Sequence, residues 1–184
     1  MDMNFWLKRG PLLAAGLLAT LADQAAAATQ GSLGPTSTGS VSISASVSSR
    51  VRLSGLSDIA LTNVDPSVDA SNAQNVCVWS NTSTKGYNIT ATGSGTGSAF
   101  LLNNGSLTVP YSVEWAGSSG QTAGAALAAG TALTGLTSSA TNANCASGPA
   151  ASASLIVKVA SPNLQTMQAS TNYTGTLTMV VAPE

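Results

Sequence analysis

Residues 38–47 read TGSVSISASV. Val41, Ile43, Ala45 and Val47 take alternate positions, and Ser40, Ser42, Ser44 and Ser46 fill the places between. Successive residues of a strand point to opposite faces, so this spacing predicts a strand with one apolar and one hydroxyl face. Alternation alone fits two roles: the first strand of the chain's own sheet, or a strand that leaves its domain to complete the sheet of a neighbouring copy. After a polar joint, Ser48–Arg50, Val51 and Leu53 resume the pattern. One strand from Val41 to Leu53 would far exceed the usual length of about 5–6 residues. Two strand roles divided at the joint explain the sequence better.

Upstream, the chain reads as a secretory leader over residues 1–28. Lys8 and Arg9 are its basic region, Pro11–Ala22 its apolar run and Ala25–Ala28 its small residues for cleavage. The apolar run is short for a bilayer span. The expected division is therefore a leader (1–28), an N-terminal extension (29–50) and one β-sandwich domain (51–184), exported and without a membrane span.

Composition narrows the function. Beyond the leader, Arg50, Arg52, Lys85 and Lys158 stand against Asp58, Asp65, Asp69, Glu114 and Glu184, four cations to five anions. A chain so poor in cations has no basic patch for nucleic acid and no cationic helix for a membrane surface. Ser, Thr, Asn, Ala and Gly dominate, interrupted by short apolar strands. Two cysteines, Cys77 and Cys145, most simply form one disulfide in an exported chain. Closing so long a loop is worth about 4 kcal/mol on the chain-entropy view. A zinc site is the rival, but zinc wants four ligands and the chain has no histidine.

Further along, Asn63–Asn72 has the Pro, Asp and Asn content of a loop. Its Asp65 and Asp69 invite calcium, at a spacing that matches no known calcium loop. Val76–Trp79 is expected as a short strand, with Cys77 and Trp79 on the core face. Tyr87, Ile89 and Ala91 mark another strand, and GSGTGSA (93–99) a hairpin turn rather than a phosphate loop. Leu107–Trp115 alternates cleanly and is expected as one strand, with Pro110 marking an edge or bulge. Residues 117–151 are expected as loop with one strand near Thr131–Leu136. Leu155, Val157 and Val159 form the next strand, with Lys158 outward. The last runs Tyr173–Val181. About seven short strands point to an all-β, immunoglobulin-like sandwich. No tuned acid, base or nucleophile stands out, so no enzyme and no cofactor are expected.

The run TGSVSISASV behind a leader, together with the ending YTGTLTMVVAP, resembles the archaic chaperone–usher pilins, the group of the Csu pili and the spore coat protein U domain. The resemblance spans the chain after the leader in strand order and length. The cysteine placement and the lack of a penultimate aromatic set it apart from classical type 1 subunits. It implies an incomplete sandwich lacking its last strand. A periplasmic chaperone first fills the gap, and at an outer-membrane usher the N-terminal strand of the next subunit replaces it, building a pilus on the cell surface. It implies Val41, Ile43, Ala45 and Val47 as the donated side chains and Leu177, Met179 and Val181 as the border of the acceptor groove. Other copies or related subunits, the chaperone and the usher are the implied partners. The alternatives are a secreted coat-type protein that complements itself and a carbohydrate-binding tip module, for which Trp79 or Trp115 would have to be exposed.

Overall fold

A computed structural model describes residues 27–184. The leader expected over 1–28 lies, apart from Ala27 and Ala28, outside the described residues. The chain falls into two units, divided between Ser46 and Val47. In the first, Thr29 and Ser40 exchange backbone hydrogen bonds of 2.9 Å each. Val41 and Ile43 are exposed, and residues 41–46 carry no regular structure.

The second unit is almost entirely β. Its elements in chain order are β1 (Val51–Ser54), β2 (Ala70–Ser80), β3 (Gly86–Gly93), β4 (Leu101–Asn103), β5 (Thr108–Pro110), β6 (Ser112–Ala116), β7 (Ala125–Ala126), β8 (Ala132–Thr137), β9 (Ala153–Val159), a one-turn helix α1 (Ser161–Leu164) and β10 (Leu177–Pro183). One sheet has the order β1-β2-β9-β6-β7 and a second β10-β3-β8, with β4 and β5 a separate pair; all pairings are antiparallel. The two larger sheets enclose one apolar core, to which β2 gives Val76 and Val78, β3 gives Tyr87, Ile89 and Ala91, β6 gives Val113 and Trp115, and β9 gives Leu155, Val157 and Val159. The alternation of Tyr87-Ile89-Ala91 and of Leu155-Val157-Val159 works as expected. Trp115 crosses the core to donate from Nε1 to the Tyr87 hydroxyl at 3.1 Å, tying β6 of one sheet to β3 of the other. Both residues are fully buried, and burial raises the Tyr87 phenol above its ordinary pKa.

Several expectations are corrected. The strand at Val76–Trp79 begins at Ala70 and runs for 11 residues. Its polar first half, Ala70–Val76, is held by the ladder to β9, so backbone pairing overrides the loop-like composition. Cys77 and Trp79 do not face the core. Val76 and Val78 do, while Cys77, Cys145 and Ala140 form a second small cluster with half-buried Trp79 packed on it. Either parity of VCVW is apolar, so periodicity could not choose the face. Leu107–Trp115 is two strands. Pro110 closes the ladder of β4 and β5, Tyr111 N–H donates to Phe100 O at 3.0 Å, and the chain then joins β9 through β6. Pro110 thus marks a change of sheet, in keeping with its missing donor. The 93–99 turn leads into β4 rather than into a hairpin with β3, whose two sides are taken by β10 and β8. A Cβ on Gly93 would come within 2.1 Å of Ala99 O, so only glycine allows this tight exit. The last strand starts at Leu177, not Tyr173. The strands β4 and β7, and the helix α1, had no signal strong enough to be read.

The disulfide forms between Cys77 and Cys145, with Cα atoms 6.0 Å apart and a sequence separation of 68. It pins the coil after β8 to the outer face of β2. Around it, serines finish the sheet. Ser152 Oγ accepts from Val78 N–H at 2.8 Å and donates to Val78 O at 2.7 Å, standing in for a strand just before β9 begins. Ser138 Oγ donates to the same carbonyl. Replacing both cysteines by serine is expected to lower stability by about 4 kcal/mol. Chemical unfolding of the paired variant beside the oxidised chain measures the difference.

On the outer face of the same sheet, Lys158 Nζ donates to Glu114 Oε1 at 2.7 Å. That bond, and a second from Gly124 N–H, hold the Glu114 carboxyl below its ordinary pKa. A depressed folded-state pKa stabilises above the unfolded value and is lost as pH falls through the folded one. Both side chains keep contact with water, so the pair is worth about 0.2–1 kcal/mol. Glu114→Gln is expected to narrow the stability difference between pH 7 and pH 3 by that amount, as read by unfolding midpoints.

Candidate functional site

The edge strands β1 and β10 form the site. On β10, Leu177, Met179 and Val181 face the core and are only half-buried, while Thr178 and Val180 face out, Val180 being 60% exposed. On β1, Val51 and Leu53 face the core in the same half-buried way, and Arg52 points outward. Further along the chain after β1, Ile59, Leu61 and Val64 add half-buried apolar side chains packed on the core. The alternation that the sequence displays in both strands therefore lines an apolar seam between two sheet edges.

The seam is open in hydrogen-bonding terms. β10 pairs with β3 on one side through all seven residues, Leu177↔Gly93 to Pro183↔Tyr87. On its other side no ladder is formed: β10 ends its sheet, as β1 ends its own. Cα atoms of β1 and β10 nevertheless come within 8 Å. A strand lying between two others separates them by about 9.6 Å, so the seam is narrower than a strand.

At two places where strands stop, side chains extend the pairing. Gln74 accepts from Ser57 N–H with Oε1 and donates to Ser57 O with Nε2, at 2.9 and 3.1 Å. Ser152 does the same for Val78. Among the described residues, no side chain caps the backbone of 177–183 on its open side. The strand is instead fixed at its two ends. Thr176 N–H donates to Ser94 Oγ at 3.0 Å, and Glu184 N–H donates to Gly86 O at 3.1 Å. At the first end, a Cβ on Gly175 would meet Leu101 O at 2.7 Å, so glycine is required for the chain to pass.

Strand direction follows from what gathers at one end of the sandwich. Val51, the start of β1, pairs with Ser80, the end of β2. Residues 81–85 lead from there to β3, whose Tyr87 pairs with Pro183 at the end of β10. β1 therefore leaves the end at which β10 arrives, and the two edges are antiparallel to each other.

Of the residues singled out from sequence, Leu177, Met179 and Val181 come together on one face of one strand. Ala45 and Val47, like Val41 and Ile43, are exposed, and residues 41–50 carry no strand. Asp65 closes a local turn by accepting from Ser67 N–H at 2.8 Å, a bond that lowers its pKa, while Asp69 accepts from the distant Ser161 N–H at 2.7 Å at the start of α1. Trp115 is buried, so it has no face to offer a sugar. Sequence reasoning missed Asn81, whose side chain bonds the backbone of the polar joint. Its only signal was its place at the end of an apolar run.

No known protein family matches the chain, and no curated protein matches it. Among solved structures it is similar to a chain from work described as "Chaperone-tip adhesin complex is vital for synergistic activation of CFA/I fimbriae biogenesis", with a TM-score of 0.46 and 16% identity over 74% of this chain and 41% of that one. This chain thus matches less than half the length of that neighbour.

Proposed function

We propose that this protein is a structural subunit of a surface pilus, which polymerises by giving its N-terminal strand to the seam between β1 and β10 of a neighbouring copy. The observation that carries this reading is an unpaired seven-residue edge whose inward side chains, Leu177, Met179 and Val181, are left half-covered. An inserted strand would satisfy the outward backbone groups of β10 and cover that apolar row at once. The segment TGSVSISASV has what the seam lacks: four apolar side chains on one face, each worth roughly 0.8–3 kcal/mol when buried. A slip by one residue would present serines instead, so register is strict.

Topology favours a second copy over self-completion. Antiparallel pairing is somewhat more stable than parallel, so the entering strand runs antiparallel to β10 and hence parallel to β1. Within one chain, Val47 precedes β1 by only the three residues Ser48–Arg50. Parallel neighbours need a connection of about a dozen residues or more, so the donor comes from elsewhere. Each contact is then head to tail and does not close, which gives a filament. A periplasmic chaperone that occupies the seam before assembly, and an outer-membrane usher that exchanges it, are the partners this reading implies. The coat-type and carbohydrate-binding alternatives gain no specific support: Trp115 lies inside the core and half-buried Trp79 packs on the disulfide cluster.

Ile43→Asp places a carboxylate where the donor needs its largest apolar group. Assembly of that variant is expected to fall at least about a hundredfold, because an unpaired charge cannot be buried. Its own seam is unaltered and still takes a synthetic peptide of residues 38–50. Electron microscopy of filaments and peptide binding by fluorescence anisotropy check the two halves, and normal filaments from the variant would overturn the donor role.

A further inference from the structure

The polar joint between the N-terminal segment and β1 is held by one side chain. Asn81 Oδ1 accepts from Arg50 N–H at 2.6 Å, and Asn81 Nδ2 donates to Ser48 O at 2.9 Å. Asn81 N–H also donates to Arg50 O at 3.1 Å. Val51 already pairs with Ser80, so Arg50 stands opposite Asn81 in the same register. In an antiparallel ladder Arg50 N–H would bond the carbonyl of the facing residue. Here the Asn81 side chain takes that place and reaches one step further, to Ser48. The amide thus carries the β1–β2 ladder past the end of the sheet and keeps residues 48–50 beside β2.

This bears on the one route by which the chain could fill its own seam. A turn over Ser48–Arg50 would fold residues 41–47 back along β1 as a hairpin, antiparallel to β1 and parallel to β10. Three-residue turns make such hairpins readily. That turn must swing residues 48–50 to the side of β1 away from β2, which breaks the bonds to Asn81. We infer that Asn81 is a positioning residue that holds the joint in line with β1, blocks the self-made hairpin and so directs the N-terminal strand to another copy. This rests on the donor-strand reading above. Asn81 is exposed and outside the core, so its loss leaves the sandwich intact.

The test refolds the purified oxidised chain, as found and with Asn81→Ala, and separates monomer from polymer by size. Asn81→Asp serves as an intermediate, because it keeps the acceptor for Arg50 N–H and loses the donor to Ser48 O. The expected result is a graded gain of monomer at the expense of polymer, Ala above Asp. Trypsin should cut after Arg50 about tenfold faster in the Ala variant, since local opening of the joint no longer breaks the two side-chain bonds. A peptide of residues 38–50, added during refolding, reports the seam independently. If it binds both chains alike while polymer yield and cleavage rate are unchanged by Asn81→Ala, the role of Asn81 is overturned. If it binds neither chain, the donor-strand reading fails with it.

Discussion

A strand that pairs on one side only leaves half its backbone groups seeking partners, and β10 is such a strand over its full length. Everything distinctive in this sandwich follows from where that demand is met and where it is not. β3 meets it on one side of β10 with seven consecutive pairs. On the other side the nearest edge, β1, belongs to the opposite sheet and gives no ladder bond. The inward side chains of both edges, Leu177, Met179 and Val181 on β10 and Val51 and Leu53 on β1, stay half-covered where the two sheets meet without a ladder.

The contrast with the rest of the fold is chemical as well as geometric. Where other strands end early, short polar side chains imitate the missing neighbour. Ser152 satisfies both backbone groups of Val78, Gln74 both of Ser57, and Asn81 carries the ladder to Ser48. A Ser- and Asn-rich composition thus does structural work at strand ends. If β10 accepts a strand as proposed, such a cap there would compete with it.

Much of this was legible in the sequence. Period-two alternation placed β1, β3, β9 and β10 and the inward sets Tyr87-Ile89-Ala91 and Leu177-Met179-Val181, because there one parity is wholly apolar and the other mostly polar, with Ile156 and Val180 among the exceptions. The same rule failed at Val76–Trp79, where both parities are apolar and a disulfide cluster claims one of them. It failed at Asn72 and Gln74, polar residues held in β2 by the ladder to β9. Pro110 was correctly seen as an interruption, but that the chain changes sheets there depends on partners far away in sequence. Asn81 was invisible for a related reason: its importance lies in two backbone atoms some thirty residues earlier, and no local pattern records that.

On the reading proposed above, a donated strand enters between β1 and β10. Some Cα atoms of the two lie within 8 Å, so a strand needing about 9.6 Å would have to part them there. The two walls are anchored differently. β10 is held by seven paired residues and by Glu184, which bonds Gly86 through its backbone and Gly135 through its side chain. β1 is held by four paired residues, by the Asn81 bonds to Ser48 and Arg50 before its start and by the Gln74 bonds to Ser57 beyond its end. On the proposed reading β10, with the longer ladder, sets the register of the entering strand.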